Sequence, residues 1–209
     1  MYKQLSILLA AFALSLSAHA ALIDFTDSTW KDAIDGNNLT SVTVGNITLE
    51  STGGYLTFNS SSGERAGCSA GQPDNNLSCL GDGLGVGSSN PDEITQNSTQ
   101  SITVTFAEAV NVNDILLLDL FSSEQSGERA VINGEQYYGD NLLAGGFYAT
   151  GFTGNNIYSL LFTGNIDSFS DYALAGIDVE LSPVPVPGAA ILFGSALLGF
   201  FGFKRRKIA

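Results

Sequence analysis

The chain has 209 residues, 21 of them acidic and eight basic, and its formal net charge at pH 7 is −13. All acidic residues lie between Asp24 and Glu180, where three basic residues oppose them, so residues 21–182 carry a formal charge of −18. A surface this negative repels nucleic acid and anionic lipid, so nucleic acid is excluded as an expected partner. The roughly 160 residues of this segment suffice for one domain with a substantial core.

Residues 1–20 have the three parts of a secretory signal peptide. Lys3 supplies the charged start, Leu5–Leu16 is the apolar region, and Ala18-His19-Ala20 is a small-x-small cleavage site before Ala21. The pattern predicts that the protein is exported. Because His19 is the only histidine of the chain, its removal leaves no histidine for catalysis or metal binding in residues 21–182.

The segment that follows is typical of β-sheet, because apolar and polar residues alternate between clusters of Gly, Asn, Ser and Asp. A helix of two turns is predicted only at Ser28–Ile34, with Ser28 as its N-cap. Asn133-Gly134 between two short apolar segments is a strong hairpin signal. The predicted strands are Leu39–Val44, Asn46–Thr52, Tyr55–Ser60, Gln100–Phe106, Val112–Phe121, Arg129–Ile132, Glu135–Tyr138, Phe147–Phe152, Tyr158–Thr163 and Tyr172–Leu181.

These short strands with one minor helix predict an all-β fold, a single β-sandwich of the jelly-roll type. Within Val112–Phe121, the run Ile-Leu-Leu-Leu predicts burial on both faces of the sheet or at the centre of a sandwich. Adjacent strand residues face opposite ways, so one of Tyr137 and Tyr138 must point outward. This pair is therefore the best candidate for an aromatic platform that binds carbohydrate.

The stretch Cys68–Ile94 is polar and glycine-rich, and it is predicted to be a long loop outside the core. Cys68 and Cys79 are the only cysteines, and export places them in an oxidising compartment. We expect a disulfide bond between them, which stabilises the fold by about 3 kcal/mol through the entropy of the closed ring.

The same stretch is acidic, and calcium is the one metal it suggests, as a structural ion and not as a catalytic cofactor. The candidate ligands are Asp74, Asp82, Asp92 and Glu93. Their spacing does not match an EF-hand. The alternative is a solvated acidic loop in which Asp and Asn residues serve turns.

The C-terminal segment, residues 183–209, has three blocks in fixed order. Prolines interrupt the preceding fold, an uncharged apolar run covers residues 188–203, and the basic residues Lys204, Arg205, Arg206 and Lys207 follow. As a helix, the apolar run would be roughly 24 Å long, shorter than the hydrocarbon core of a membrane. The basic cluster is expected to stay on the cytoplasmic side as a stop-transfer signal.

In order and chemistry this segment resembles the PEP-CTERM sorting signal, in its V-P-x-P variant, with Val184, Pro185, Val186 and Pro187 as the motif. The resemblance implies recognition by an exosortase, a membrane-embedded cysteine protease and transpeptidase found in bacteria that make exopolysaccharide. The protein would then pass transiently through the inner membrane. The alternative is an ordinary single-pass anchor.

A second resemblance covers about half of residues 21–182. Gly83 to Val86, Asp92-Glu93-Ile94, the run SITVTFAEAVNV and the run YALAGIDVEL are similar to β-sandwich domains that PEP-CTERM proteins often carry. Such domains are galactose-binding-like or carbohydrate-binding modules. The likeness lies in the strands, so it implies no ligand residues here.

Together these features predict an exported structural or adhesive protein of the cell surface or extracellular matrix. Its expected partners are an exosortase and exopolysaccharide or other matrix components. The alternative is a carbohydrate-binding module with a defined sugar ligand. A surface hydrolase is the third reading, but catalysis is not expected, because any domain this acidic contains carboxylate pairs such as Asp114 and Asp119.

Overall fold

The computed structural model describes residues 20–59, 76–87, 93–95, 100–121, 128–139, 146–164 and 170–181. All of them belong to one compact unit, residues 18–182. The predicted signal peptide, apart from Ala20, and the predicted sorting segment, residues 183–209, lie outside the described residues. Among the residues that are described, no helix has the length and apolar composition that crossing a membrane requires.

The described chain is mostly β-strand, with one short helix. The helix is α1 (Ser28–Ile34). The strands are β1 (Ala20–Asp24), β2 (Ser41–Val44), β3 (Ile47–Thr52), β4 (Tyr55–Asn59), β5 (Gly83–Gly87), β6 (Ile94–Thr95), β7 (Ser101–Leu118), β8 (Arg129–Ile132), β9 (Glu135–Tyr138), β10 (Tyr148–Ala149), β11 (Gly154–Gly164) and β12 (Asp171–Leu181).

The strands form one large antiparallel sheet in which β7 is the longest member, and their order is β4-β5-β12-β7-β11-β8-β9. Along one edge of β7, residues 101–106 pair with β3 and residues 110–118 pair with β12. Along its other edge lie β11 and then β10. The β7 strand therefore pairs with four other strands and forms the centre of the sheet.

The prediction of an all-β fold is confirmed, and so are α1, β8 and β9 with their predicted bounds. The N-cap of α1 is Asp27 and not Ser28, because the Asp27 carboxylate accepts hydrogen bonds from the backbone N–H groups of Thr29 and Trp30. Gln100–Phe106 and Val112–Phe121, predicted as separate strands, are joined in β7. The β1, β5 and β6 strands were not predicted.

The prediction that Cys68–Ile94 stays outside the core is wrong for residues 81–87 and for Ile94. Every residue of β5 is buried, because β5 lies between β4 and β12. Leu77 and Cys79 pack against Leu116 and Leu118, which lie on the opposite face of β7 from Ile115 and Leu117. All four residues of the run Ile115 to Leu118 are buried, as predicted.

Asp24 and Thr26 fix the position of Ser78 and Cys79, which come shortly before β5. The Asp24 carboxylate accepts hydrogen bonds from the Thr26 hydroxyl at 2.6 Å and from the Ser78 backbone N–H at 2.6 Å. The Thr26 hydroxyl in turn accepts one from the Cys79 N–H at 2.9 Å. Because Thr26 is fully buried, the bonds made by its hydroxyl satisfy a polar group that water does not reach.

Candidate functional site

The hairpin of β8 and β9 forms one side of a groove on the protein surface. Asn133 and Gly134 join the two strands with φ values of 50° and 87°, and positive values at both turn residues define a type I′ turn. Asn133 also ties the turn to β11, since its Oδ1 atom accepts a hydrogen bond from the Leu161 N–H at 2.9 Å. The predicted hairpin is therefore confirmed and fixed in position.

The opposite side of the groove is the segment 151–154 together with Ile157. Asp114, on β7, anchors this segment, because its Oδ1 atom accepts hydrogen bonds from the Gly151 N–H at 2.9 Å and from the Thr150 hydroxyl at 3.4 Å. The Thr150 hydroxyl accepts one from the Phe152 N–H at 3.1 Å. A side chain on the longest strand thus positions a loop that has little regular structure of its own.

The groove between these sides has a volume of about 470 Å³, within the range of small-molecule sites. Tyr137, Phe152 and Ile157 are half-buried, with part of each side chain packed on the core. Polar groups stand beside these apolar surfaces. The described residues that line the groove are Asn133, Glu135, Tyr137, Gly151, Phe152, Thr153, Gly154 and Ile157.

Tyr137 and Glu135 lie on the same face of β9, and the Tyr137 hydroxyl donates a hydrogen bond to Glu135 Oε2 at 3.2 Å. Partial burial, followed by the bond to Glu135 and its negative charge, raises the pKa of Tyr137 above its ordinary value of 10.0. The hydroxyl is therefore protonated at neutral pH, and it can both donate to Glu135 and accept from a ligand.

Tyr138 points to the other face of the hairpin and is 53% exposed. The Arg129 guanidinium lies 4.6 Å from the centre of its ring, an arrangement that gives a cation–π attraction. One face of this ring is therefore already covered. Of the two tyrosines singled out in the sequence, Tyr137 is the one that lines the groove.

A second cluster of polar side chains, at one end of the sheet, brings together Asn59, Glu93, Asp119 and Asp171. Asn59 ends β4, Glu93 precedes β6, Asp119 follows β7, and Asp171 begins β12. The Asn59 Nδ2 group donates hydrogen bonds to Glu93 Oε1 at 3.0 Å and to Asp119 Oδ2 at 3.4 Å. Asn59 is only 2% exposed and the three acidic side chains are half-buried, so the cluster is partly shielded from water.

Glu93 holds a proton in this cluster. Burial raises its pKa from 4.5 to about 10, and hydrogen bonds and negative charge from Asp171 and Asp119 act in the same direction. A neutral carboxyl group can donate a hydrogen bond to a neighbouring carboxylate, which an ionised one cannot. The proton therefore allows three acidic side chains to share one partly buried site.

The structure describes two of the four predicted calcium ligands. Asp82 is buried, with its N–H donating to the Asn59 carbonyl at 2.9 Å, and Glu93 belongs to the carboxyl cluster just described. Asp74 and Asp92 lie outside the described residues. Within the described part of the chain, no group of three acidic, histidine or cysteine side chains is arranged to hold a metal ion.

The remaining predicted sites lie partly or wholly outside the described residues. Cys79 is disulfide-bonded, and its expected partner Cys68, the only other cysteine of the chain, lies in a segment that is not described. All residues of the predicted sorting motif and basic cluster also lie outside the described residues: Val184, Pro185, Val186, Pro187, Lys204, Arg205, Arg206 and Lys207.

The comparisons with known proteins add no further assignment. No protein family matches the chain, and neither a curated protein nor a solved structure shows a significant match to it.

Proposed function

We propose that this chain is an exported adhesive protein of the cell surface or extracellular matrix, sorted by an exosortase, which binds exopolysaccharide through the groove at the β8–β9 hairpin. The groove is the observation that carries the proposal. Sugar rings have apolar faces and polar edges, and carbohydrate sites place aromatic surfaces beside hydrogen-bonding groups. Tyr137 and Phe152 supply the aromatic surfaces. The hydrogen-bonding groups come from Asn133, Glu135 and Thr153.

The preorganisation of the groove also supports this role. The Asn133 amide and the Gly151 backbone are each fixed by hydrogen bonds to neighbouring strands, so little ordering is needed when a ligand enters. Of the described residues that line the groove, Glu135 is the one carboxylate. Glycoside hydrolysis ordinarily uses two, so the lining favours binding over catalysis.

We further propose that the single sheet is folded into the two layers of a β-sandwich along β7. The first part of this strand pairs with β3 and the later part with β12 on the same edge, and the exposed residues Ala107 and Glu108 lie between the two parts. A long strand that passes from one layer to the other gives this pairing. The groove would then lie beside the strands of one layer, as in carbohydrate-binding modules of the sandwich type.

A glycan array followed by calorimetry with the glycan that binds most tightly tests the binding function. Tyr137→Leu and Phe152→Leu keep an apolar side chain against the core but remove the aromatic surface, and each should weaken binding by at least about tenfold. Tyr158→Leu is the control, because Tyr158 is 58% exposed and lies outside the groove. Melting temperatures show whether each variant is folded. Unchanged affinity in both groove variants would exclude the groove as the binding site.

A further inference from the structure

The charge of the groove restricts which glycans it accepts. Its described lining contains the Glu135 carboxylate and no basic side chain. Two basic residues of the domain lie against other rings: Lys31 is 6.0 Å from the centre of the Phe58 ring, and Arg129 is stacked on Tyr138 at the opposite face of the hairpin. The described part of the lining therefore offers no cation to an anionic sugar, and the formal charge of −18 on residues 21–182 opposes the approach of such a sugar.

The hydrogen bonds within the groove favour a ligand that donates. The Tyr137 hydroxyl donates its hydrogen bond to Glu135 Oε2, so the Tyr137 oxygen and the second Glu135 oxygen remain as acceptors on two residues that line the groove. An ammonium group has three donors and no acceptor. Next to Glu135 it would also lie close to the ring of Tyr137, where a cation is attracted by the aromatic face.

We infer that the groove selects glycans that carry free amino groups, that is, hexosamines in their ammonium form, over N-acetylated or uronic acid glycans. This inference rests on the proposed function, because it names the ligand class of the same groove. The carboxylate supplies charge, the tyrosine supplies an aromatic face and an acceptor, and the negative surface of the whole domain attracts a cationic polymer.

Three oligosaccharides of equal length test this selectivity by calorimetry at 0.15 M salt: the tetrasaccharides of glucosamine, of N-acetylglucosamine and of galacturonic acid. The exported protein should bind the glucosamine tetramer about fivefold more tightly than the acetylated one, as expected for a partly exposed ion pair with a cation–π contact. The galacturonic acid tetramer should bind most weakly. Glu135→Gln should abolish the preference by weakening binding of the glucosamine tetramer more than binding of the acetylated one.

Glu50→Gln is the matched control, because Glu50 is an exposed carboxylate on β3 outside the groove, and its replacement removes one negative charge, as Glu135→Gln does. Retention of the preference in Glu50→Gln supports a local effect of Glu135. Loss of the preference in both variants would attribute it to the overall charge and overturn the inference, as would a preference that survives in Glu135→Gln. Equal binding of the glucosamine and N-acetylglucosamine tetramers would overturn the inference but leave the proposed function standing. Binding of none of the three tetramers would also count against the proposed function.

Discussion

Glu93 illustrates how a single proton determines what an acidic side chain contributes to this fold. In the folded protein its pKa is raised to about 10, mainly by burial and then by Asp171 and Asp119, whereas its ordinary value is 4.5. The folded state therefore keeps a proton that the unfolded chain releases above about pH 4.5. Its contribution to stability is complete below that pH and is lost progressively as the pH rises towards 10.

Glu93→Gln should remove this pH dependence. A glutamine has no proton to lose, its Oε1 atom can accept from Asn59, and its amide can donate to the carboxylates of Asp119 and Asp171. The variant should melt close to the original protein at pH 5 and at least about 5 °C above it at pH 9.

Glu108→Gln is the control for this comparison, since Glu108 is an exposed carboxylate on β7. It should leave the difference between the two pH values unchanged. If Glu93→Gln melted below the original protein at pH 9, Glu93 would be ionised in the folded state and the account of the cluster would be wrong.

Strand β5 shows how a segment without a β-sheet sequence pattern becomes part of the core. Gly83 has a φ of 116°, and a Cβ atom there would overlap the carbonyl oxygen of Leu174 on β12. Both the backbone conformation and the close approach of the two strands require glycine. Gly83 is therefore a condition for the packing of β5 against β12.

Gly83→Ala should destabilise the protein by roughly 3 kcal/mol or more, because backbone strain and overlap add together. Gly36→Ala is the matched control. Gly36 also has a positive φ, 73°, but no atom lies within 4 Å of the position of a Cβ, so about 1 kcal/mol is expected. Denaturant unfolding of both variants measures the difference, and similar losses would show that the overlap is relieved without cost.

The elements predicted correctly are those whose signals are local. The hairpin follows from Asn133-Gly134, and the bounds of α1 were predicted correctly although its N-cap is Asp27 and not Ser28. By contrast, β5 is buried by partners that are distant in sequence, and its glycines and short length give no alternation to recognise. Its burial is a tertiary effect that single-sequence patterns do not contain.

The same reasoning applies to the two candidate sites. Tyr137 was singled out together with Tyr138 from their adjacent positions in a predicted strand, whereas Phe152 and Thr153 belong to a loop that Asp114 anchors. The carboxyl cluster joins side chains that are up to 112 positions apart, from Asn59 to Asp171. No spacing in the sequence indicates that the side chains of either site lie close together. In the sequence, Asp114 was considered only as a member of a catalytic pair.

The molecule as a whole combines a strongly acidic domain with segments at both ends that have the features of export signals. Its last described strand, β12, pairs with β1, β5, β6 and β7 and ends at Leu181, two residues before Pro183. Cleavage beyond the prolines would leave all of these pairings intact. The fold is therefore compatible with removal of the C-terminal segment.

We predict that the final product ends near Val184–Gly188 and lacks the apolar run and the basic cluster. Intact-mass measurement on protein from the cell envelope and the medium determines this directly. Replacement of Lys204, Arg205, Arg206 and Lys207 by glutamine should impair sorting, because these residues orient the segment in the membrane. A surface protein whose mass still includes residues 188–209, with unchanged localisation in the substituted protein, would indicate an ordinary membrane anchor instead.

The claim that the groove binds glycan is tested most directly by NMR, in a titration of the isotope-labelled, exported protein with the glycan that binds most tightly on the array. We expect the largest amide shifts on residues 133–137 and 151–154, the two sides of the groove. Residues of β2 and β3 should serve as unaffected internal references. Saturable shifts confined to another part of the described sheet, with the groove amides unchanged, would contradict it.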